Sequence, residues 1–550
     1  MFRAAVATFL SLCRWLTANR RRQIAVYAAV ALLFVLTRLG VEPYDDAHFF
    51  ERIAENALDH ATLAWNLDEG PVYGATSQSF QLVSVALSAI TRSYTVLATR
   101  ILSIACLVAA FSILLGLTAR HDKGASATFA LCSAVLLFPS ITGMETALAI
   151  LASALVLRSR ESASWLARPV ALTFLYVTRP DAALLGLVVL AERWWSTKAW
   201  REVALAVLGL AAVLLLCKLY YGTALPLPFY AKQKAFTPYD AEFLRLSAEI
   251  GLQRFAAFAL VAAPLFLRAS FLRDRRNLEL LGATFAFVAY HLASTVDVMG
   301  MQGRFYAPCL PLLVLASARA REASARRAFA AASAFVSLFV IVRLAAPLLF
   351  DRSGSDAIPV VLQATTLIGG LALVLTLSRP RWQRVLSGGL LATLGVALAL
   401  SLNWRDLRFR SDDDYLGLQT QRSTVYRGLD TLRSCFGEQI HVYHSEIGLP
   451  GLRFQRGKVT DLVGLMSPEW LFRKQTFDQL CRRDRPEAIF FPHRNYAGLN
   501  AEIRVSDCLK GYRRVVSESS SPLYVRADLA PRYLECARER EDEFVVGSWR

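Results

Sequence analysis

The chain alternates long apolar runs with short polar breaks, and the first break is the most informative. An apolar run from Ile24 to Leu39 ends in the polar stretch Tyr44-Asp45-Asp46-Ala47-His48, which sets two adjacent carboxylates just outside a membrane surface. From Phe49 the pattern turns helical and amphipathic. Phe49, Phe50, Ile53 and Leu58 are apolar, while Glu51, Arg52, Glu55, Asn56 and Asp59 are polar. That spacing predicts a helix lying along the interface rather than crossing it. Residues 41–78 together read as an outward-facing loop, in which Trp65, Asn66, Gly70, Tyr73 and Gly74 argue against disorder.

Further apolar segments follow at 79–91, 95–118, 125–142, 143–157, 165–178, 181–195, 202–221, 252–271, 279–296, 305–318, 328–350, 358–377 and 384–402. Several fall short of the ~20 residues a helix needs to cross alone, so some pairs read as broken helices or re-entrant hairpins, and the expected total is about 11 to 13 spans. Near Asn403 the pattern changes. Charges become dense, and strand-like runs (Ile440–Tyr443, Ala488–Phe491, Tyr524–Val525) alternate with helical stretches such as Thr424–Cys435. The expected architecture is a polytopic α-helical membrane protein over residues 1–403, followed by a soluble α/β domain over 404–550.

Composition agrees. A chain of 550 residues that is 55% hydrophobic, with a mean hydropathy of +0.37, is too apolar for one soluble domain. Of the net charge of +17, most falls in residues 1–403, which hold 37 Lys/Arg against 23 Asp/Glu. Cytoplasmic loops and contact with an anionic lipid bilayer explain that excess better than nucleic acid does. Arg14 and the run Arg20-Arg21-Arg22 place the N-terminus in the cytoplasm, which puts Asp45 and Asp46 on the opposite side. The stretch Phe2 to Trp15 reads as an interfacial helix, because no small-residue cleavage site precedes the arginines.

An odd number of spans would carry the C-terminal domain outside the cytoplasm, in an oxidising compartment. There Cys435, Cys481, Cys508 and Cys536 suffice for two disulfides. Cys13, Cys106, Cys132, Cys217 and Cys309 lie in or beside apolar segments, where a free thiol behaves as a small hydrophobe. No cysteine has the spacing of a zinc site.

The chain has no Walker A loop, no GxGxxG after a strand, no HExxH and no GxSxG. Its candidate chemistry is a set of ionisable residues at the edges of apolar runs. Asp45 and Asp46 suit acid/base work or cation binding; the bland alternative is a solvated turn, with Asp46 favouring the start of the following helix. Arg179, Lys232 and Arg304 could meet negative charge, or simply mark the membrane interface. His291 lies inside an apolar segment, where helix packing competes with ligand binding, and Glu145 needs a wet cavity or a partner. Asp297 could bind substrate or, with the Asp pair, a divalent cation. Asp461 follows a strand-like run, Lys458–Thr460, and reads as a carboxylate that stabilises a turn.

In order along the chain, Asp45-Asp46, Trp65-Asn66, Gly74, Gly143-Met144-Glu145-Thr146 and Arg179-Pro180-Asp181 resemble the motifs of the GT-C membrane glycosyltransferases. Pro228-Phe229-Tyr230-Ala231-Lys232, Asp297, Gly303-Arg304-Phe305, Gly448 and Asp461-Leu462-Val463-Gly464-Leu465 continue the pattern. The resemblance covers residues 40 to 500 and is strongest to the terminal arabinofuranosyltransferase-like branch. Asp45-Asp46-Ala47-His48-Phe49-Phe50 departs from that branch, which has a β-branched residue and an Arg-Tyr pair after Asp-Asp-Ala; Gly70 to Thr76 is also a loose match. These departures bear on the sugar and the acceptor more than on the reaction.

The resemblance implies an enzyme that takes a sugar, a pentofuranose such as arabinofuranose, from a polyprenyl-phosphate donor. It passes the sugar to a cell-envelope glycan or protein outside the membrane, with inversion. Asp45 would be general base with Asp46 as partner, and Lys232, Arg179 and Arg304 would face the lipid phosphate. Two other classes fit the residues alone. A lipid-linked saccharide flippase or transporter would need the buried charges but no surface base. A non-catalytic envelope-assembly protein would use them structurally.

Overall fold

The computed structural model describes residues 19–37, 43–118, 143–232, 244–245, 247–249, 275–295, 304–319, 426, 428–472, 475–492, 496–516 and 522–539. Asp297 and Gly303, the apolar segments at 125–142, 252–271, 328–350, 358–377 and 384–402, and the stretch Phe2 to Trp15 lie outside these residues.

The helical part opens with α1 (Arg20–Thr37) and α2 (Asp45–His60). Next come α3 (Gln78–Thr91) and α4 (Thr95–Thr118), joined by a single 3-10 turn at Arg92–Tyr94. Arg20 Nη2 donates to Ser112 O at 2.7 Å, so the start of α1 meets the far end of α4, and Tyr27 stacks on Phe111 between them. The other end of α4 lies near α2, since Gly143 sits between Ala47 and Thr99. α3 begins beside Thr178, with Ser79 Oγ 2.9 Å from Thr178 Oγ1, and is tied to α2 where Gln81 donates to Phe50 O. Both its ends therefore lie at the level of α2, and the apolar segment at 79–91 runs along the bundle instead of making a crossing of its own.

The bundle continues with α5 (Thr146–Ser159), α6 (Ala167–Thr178), α7 (Ala183–Thr197), α8 (Trp200–Tyr221) and the single turn α9 (Leu227–Ala231). Among the described residues its last helices are α10 (Arg275–Ser294) and α11 (Leu310–Arg319). The stretch 78–118 and α8 are long and apolar enough to cross a membrane; α8 turns Val207, Leu208, Leu215, Leu216 and Leu219 outward, as lipid contact requires. At one end of the bundle, Arg168 donates to both oxygens of the buried Glu202, and Arg160 pairs with Glu279 at 2.9 Å. Mutual pairing makes these charges tolerable between apolar helices.

The C-terminal part is a mixed α/β domain. α12 (Leu429–Phe436) leads into β1 (His441–His444), α13 (Gly448–Arg453) and β2 (Lys458–Asp461). α14 (Pro468–Leu471), α15 (Phe477–Asp484), β3 (Ala488–Phe490), α16 (Ala497–Arg504), β4 (Tyr512–Val516), β5 (Leu523–Arg526) and α17 (Ala530–Glu539) complete it. The sheet order is β2-β1-β3-β5-β4, with β1 parallel to β2 and β3, and β5 antiparallel to β3 and β4. The runs expected at 440–443, 488–491 and 524–525 are strands, and β4 is an addition to them. Cys435 is bonded to Cys536 and Cys481 to Cys508, so all four expected cysteines are paired.

β2 is the sheet edge nearest the helical part, and the loop after α2 covers it. Asn66 uses its side-chain amide as a strand would, accepting from Val459 N at 3.0 Å and donating to Val459 O at 3.1 Å. Trp65 Nε1 donates to the same carbonyl at 2.8 Å. An exposed edge strand is thereby closed off.

Candidate active site

A cavity opens where the start of α2, the loop before α5, the α6–α7 turn, α9, α10 and the residues before α11 meet the C-terminal domain. It encloses about 810 Å³, counting its open mouth. Asp46, Glu145, Arg179, Lys232, His291 and Arg304 all line it. Six of the eight candidates from the sequence therefore converge on one space. Of the remaining two, Asp297 lies outside the described residues, and Asp45 turns elsewhere.

Asp45 and Asp46 occupy the first turn of α2. Asp45 faces the C-terminal domain, where its two oxygens accept from Gly448 N at 2.8 Å and Leu449 N at 2.7 Å, the opening amides of α13. The Tyr426 hydroxyl is a further donor to it. Burial nevertheless lifts the Asp45 carboxyl above its ordinary range, against the pull of these donors. Asp46 faces the cavity and accepts from Arg304 Nη2 at 2.7 Å. Burial pushes its pKa up, but Arg304 and then Lys232 outweigh that, so Asp46 stays below the usual carboxylate range and is ionised at neutral pH.

The other wall is a chain of charges. Arg179 Nε lies 3.0 Å from Asp181 Oδ1, and its Nη1 lies 3.6 Å from Glu145 Oε1 and donates to Arg304 O. His291 Nε2 lies 2.9 Å from Asp181 Oδ2, with its ring stacked on Phe305. His291 thus both packs among aromatic rings and reaches the cavity. Glu145 lines the cavity, and its Oε2 is buried with no hydrogen-bond partner among the described residues, an acceptor left unsatisfied in the cavity wall. Lys232 closes the turn of α9, and its ammonium forms no ion pair or hydrogen bond among the described residues. Burial lowers its pKa, while Asp46 and Glu145 favour its charge.

An unpaired ammonium beside a neutralised Arg–Asp pair can receive an anion. An ionised carboxylate and an open carboxylate oxygen in the same space can take protons or hold hydroxyls. No group of three His, Cys, Asp or Glu residues is arranged to hold a metal ion among the described residues.

Three contributors were not singled out from sequence. Arg52 is fully buried, and all five of its N–H donors reach carbonyl oxygens: those of Trp65, Asn66, Gly451, Phe454 and Gly457. Glu446 lies close enough to Asp45, Asp46 and Asp461 that, after burial, their charges help push its carboxyl up to about 8. Met466 joins the cavity wall beside Leu465, the last residue of a motif that sequence does display.

No protein-family model matches the chain, and no curated protein matches it either. Two crystal structures of ArnT from Cupriavidus metallidurans share its fold. The structure bound to undecaprenyl phosphate is 14% identical, covers 92% of this chain and 98% of its own, and has a TM-score of 0.50. The apo structure has the same identity and coverage, with a TM-score of 0.51. The likeness spans the helical part and the C-terminal mixed α/β domain.

Proposed function

We propose that this protein is an integral membrane glycosyltransferase that moves a sugar from a polyprenyl-phosphate donor to a cell-envelope glycan or protein. The observation that carries the reading is Lys232, a half-buried cation with no ion-pair partner among the described residues, in the same cavity as the ionised Asp46. A lipid-borne phosphate supplies the missing anion at Lys232, and an acceptor hydroxyl supplies a proton for Asp46. The fold shared with ArnT, which has been crystallised with undecaprenyl phosphate, supports a donor of that type.

In the proposed reaction the acceptor oxygen attacks the anomeric carbon as the carbon–oxygen bond to phosphate breaks. The acceptor proton passes to Asp46, and the electron pair of the broken bond leaves on the polyprenyl phosphate, facing Lys232. Asp46 also favours the positive charge that builds on the sugar ring, a recurrent need in glycosyl transfer. A single displacement inverts the anomeric centre. Glu145 Oε2 serves as acceptor for a sugar hydroxyl, and Arg304 holds Asp46 in place. Asp45 positions α2 against the C-terminal domain, since both its oxygens are occupied by backbone amides.

The finer reading is a pentofuranose donor such as arabinofuranose, supported by the motif resemblance alone. The helical domain over 1–403 sits in the plasma membrane, and the domain over 404–550 sits outside the cytoplasm, a placement that its two disulfides support. The test is to incubate the purified full chain with labelled polyprenyl-phosphate sugars and follow free polyprenyl phosphate. Release that depends on acceptor supports the reading. Translocation of intact donor in proteoliposomes without release would assign a flippase instead.

A further inference from the structure

The polar groups of the cavity come from the helical part, whereas the C-terminal domain adds two aliphatic side chains, Leu465 and Met466. These sit on the turn that follows β2, and the turn is built around one carboxylate. Asp461 is fully buried; its Oδ1 accepts from Val463 N at 2.8 Å and its Oδ2 from Met466 N at 2.8 Å. Its backbone O accepts from Gly464 N, and its own N–H donates to Ser467 Oγ. Gly464 has φ +86°, a left-handed conformation that disfavours any side chain. Met466 packs directly on Gly74, so close that a Cβ there would collide with its sulfur. Beyond the turn, Phe472 meets Tyr230 edge to face, so the same segment also braces α9, which positions Lys232.

We propose that Asp461 is a positioning residue that holds Leu465 and Met466 as the shape-selecting wall of the cavity, so that this turn decides which glycosyl groups fit. The proposal rests on the glycosyltransferase reading for the ligand, though not for the geometry. Aliphatic side chains offer no hydrogen bonds and discriminate by volume, which is worth about 10- to 200-fold per methylene-sized difference. A carboxylate can hold such a turn because it accepts from several amides at once. An asparagine would set an NH2 against one of those N–H donors.

Two arms test it on the full chain. In the first, Met466→Cys is labelled by a small thiol reagent, with the parent chain as blank, alone and combined with Asp461→Asn. Labelling is expected to be slow alone and at least about 10-fold faster with Asp461→Asn, as the wall opens. An unchanged rate overturns the positioning role. If Asp461→Asn does not yield a monodisperse protein, Asp461→Ser, which keeps one acceptor, takes its place.

In the second arm, Met466→Ala and wild type are compared for binding polyprenyl-phosphate pentose, polyprenyl-phosphate hexose and polyprenyl phosphate alone. The hexose-to-pentose affinity ratio should rise about 10-fold in the variant, with affinity for polyprenyl phosphate unchanged. An unchanged ratio overturns the selecting role. If wild type binds no donor, the selecting role and the glycosyltransferase reading fall together, while the labelling result still decides what Asp461 does.

Discussion

Asp45 and Asp46 are consecutive residues with opposite allegiances: Asp45 accepts from the backbone of Gly448 and Leu449, while Asp46 pairs with Arg304 inside the cavity. Successive side chains on a helix diverge by about 100°, so the first turn of α2 can serve two surfaces at once. Asp45→Asn should therefore act on stability first. It sets an amide NH2 against one backbone donor and should cost about 1–3 kcal/mol, read as a lower apparent Tm. Transfer by the fraction that remains folded should fall much less than in Asp46→Asn.

Arg52 lies on the same helix and reaches the same domain. A lysine there has three donors on one atom and cannot span the carbonyls of Gly451, Phe454 and Gly457 together with those of Trp65 and Asn66. Each buried carbonyl left unpaired costs about 1–3 kcal/mol. Arg52→Lys should loosen the C-terminal domain, seen as faster proteolysis of that domain at a temperature where wild type resists.

Sequence patterning exposed much of this architecture but not the contact that joins its halves. The boundaries of α4 coincide with the apolar segment at 95–118, because a long uninterrupted apolar run admits one reading. The segment at 79–91 is also apolar, yet its start is tied to α2 at Phe50, which hydropathy alone cannot distinguish from a crossing. α2 shows the reverse problem. Its polar face, with Glu51, Arg52 and Asn56, reads as solvated, yet these residues are buried, Arg52 and Asn56 in contact with the C-terminal domain. Three partners of Arg52, Gly451, Phe454 and Gly457, lie 399 to 405 residues away, beyond any local pattern. The cavity residues were legible as charges at the edges of apolar runs, where each needs a stated reason to exist. Which of two adjacent aspartates faces the cavity depends on helix phase, and only coordinates resolve it.

Glu446 gives the interface a pH dependence. Burial, then Asp45, Asp46 and Asp461, raise its carboxyl from an ordinary 4.5 to about 8. Protonation therefore favours the folded state. The stabilisation is complete below the unfolded value and is lost as pH rises through about 8. Apparent Tm should fall between pH 6 and pH 9, and Glu446→Gln, which is neutral throughout, should flatten that fall relative to wild type.

The disulfides differ in the length of chain they close, 101 residues for Cys435–Cys536 and 27 for Cys481–Cys508. Loop-closure entropy makes the longer one worth about 1 kcal/mol more. Non-reduced digests should yield these two cross-linked peptide pairs by mass spectrometry, and Cys435→Ser should lower the apparent Tm further than Cys481→Ser.

The central claim is that one cavity holds a base at Asp46 and a phosphate site at Lys232. Its most direct test is a side-by-side measurement of sugar transfer and polyprenyl-phosphate affinity for wild type, Asp46→Asn and Lys232→Ala, with folding checked by size-exclusion profile. Asp46→Asn should lower transfer by about 10²–10⁴-fold and change affinity little. Lys232→Ala should weaken affinity and slow transfer together. Near-normal transfer by well-folded Asp46→Asn, or undiminished affinity in Lys232→Ala, would contradict the account.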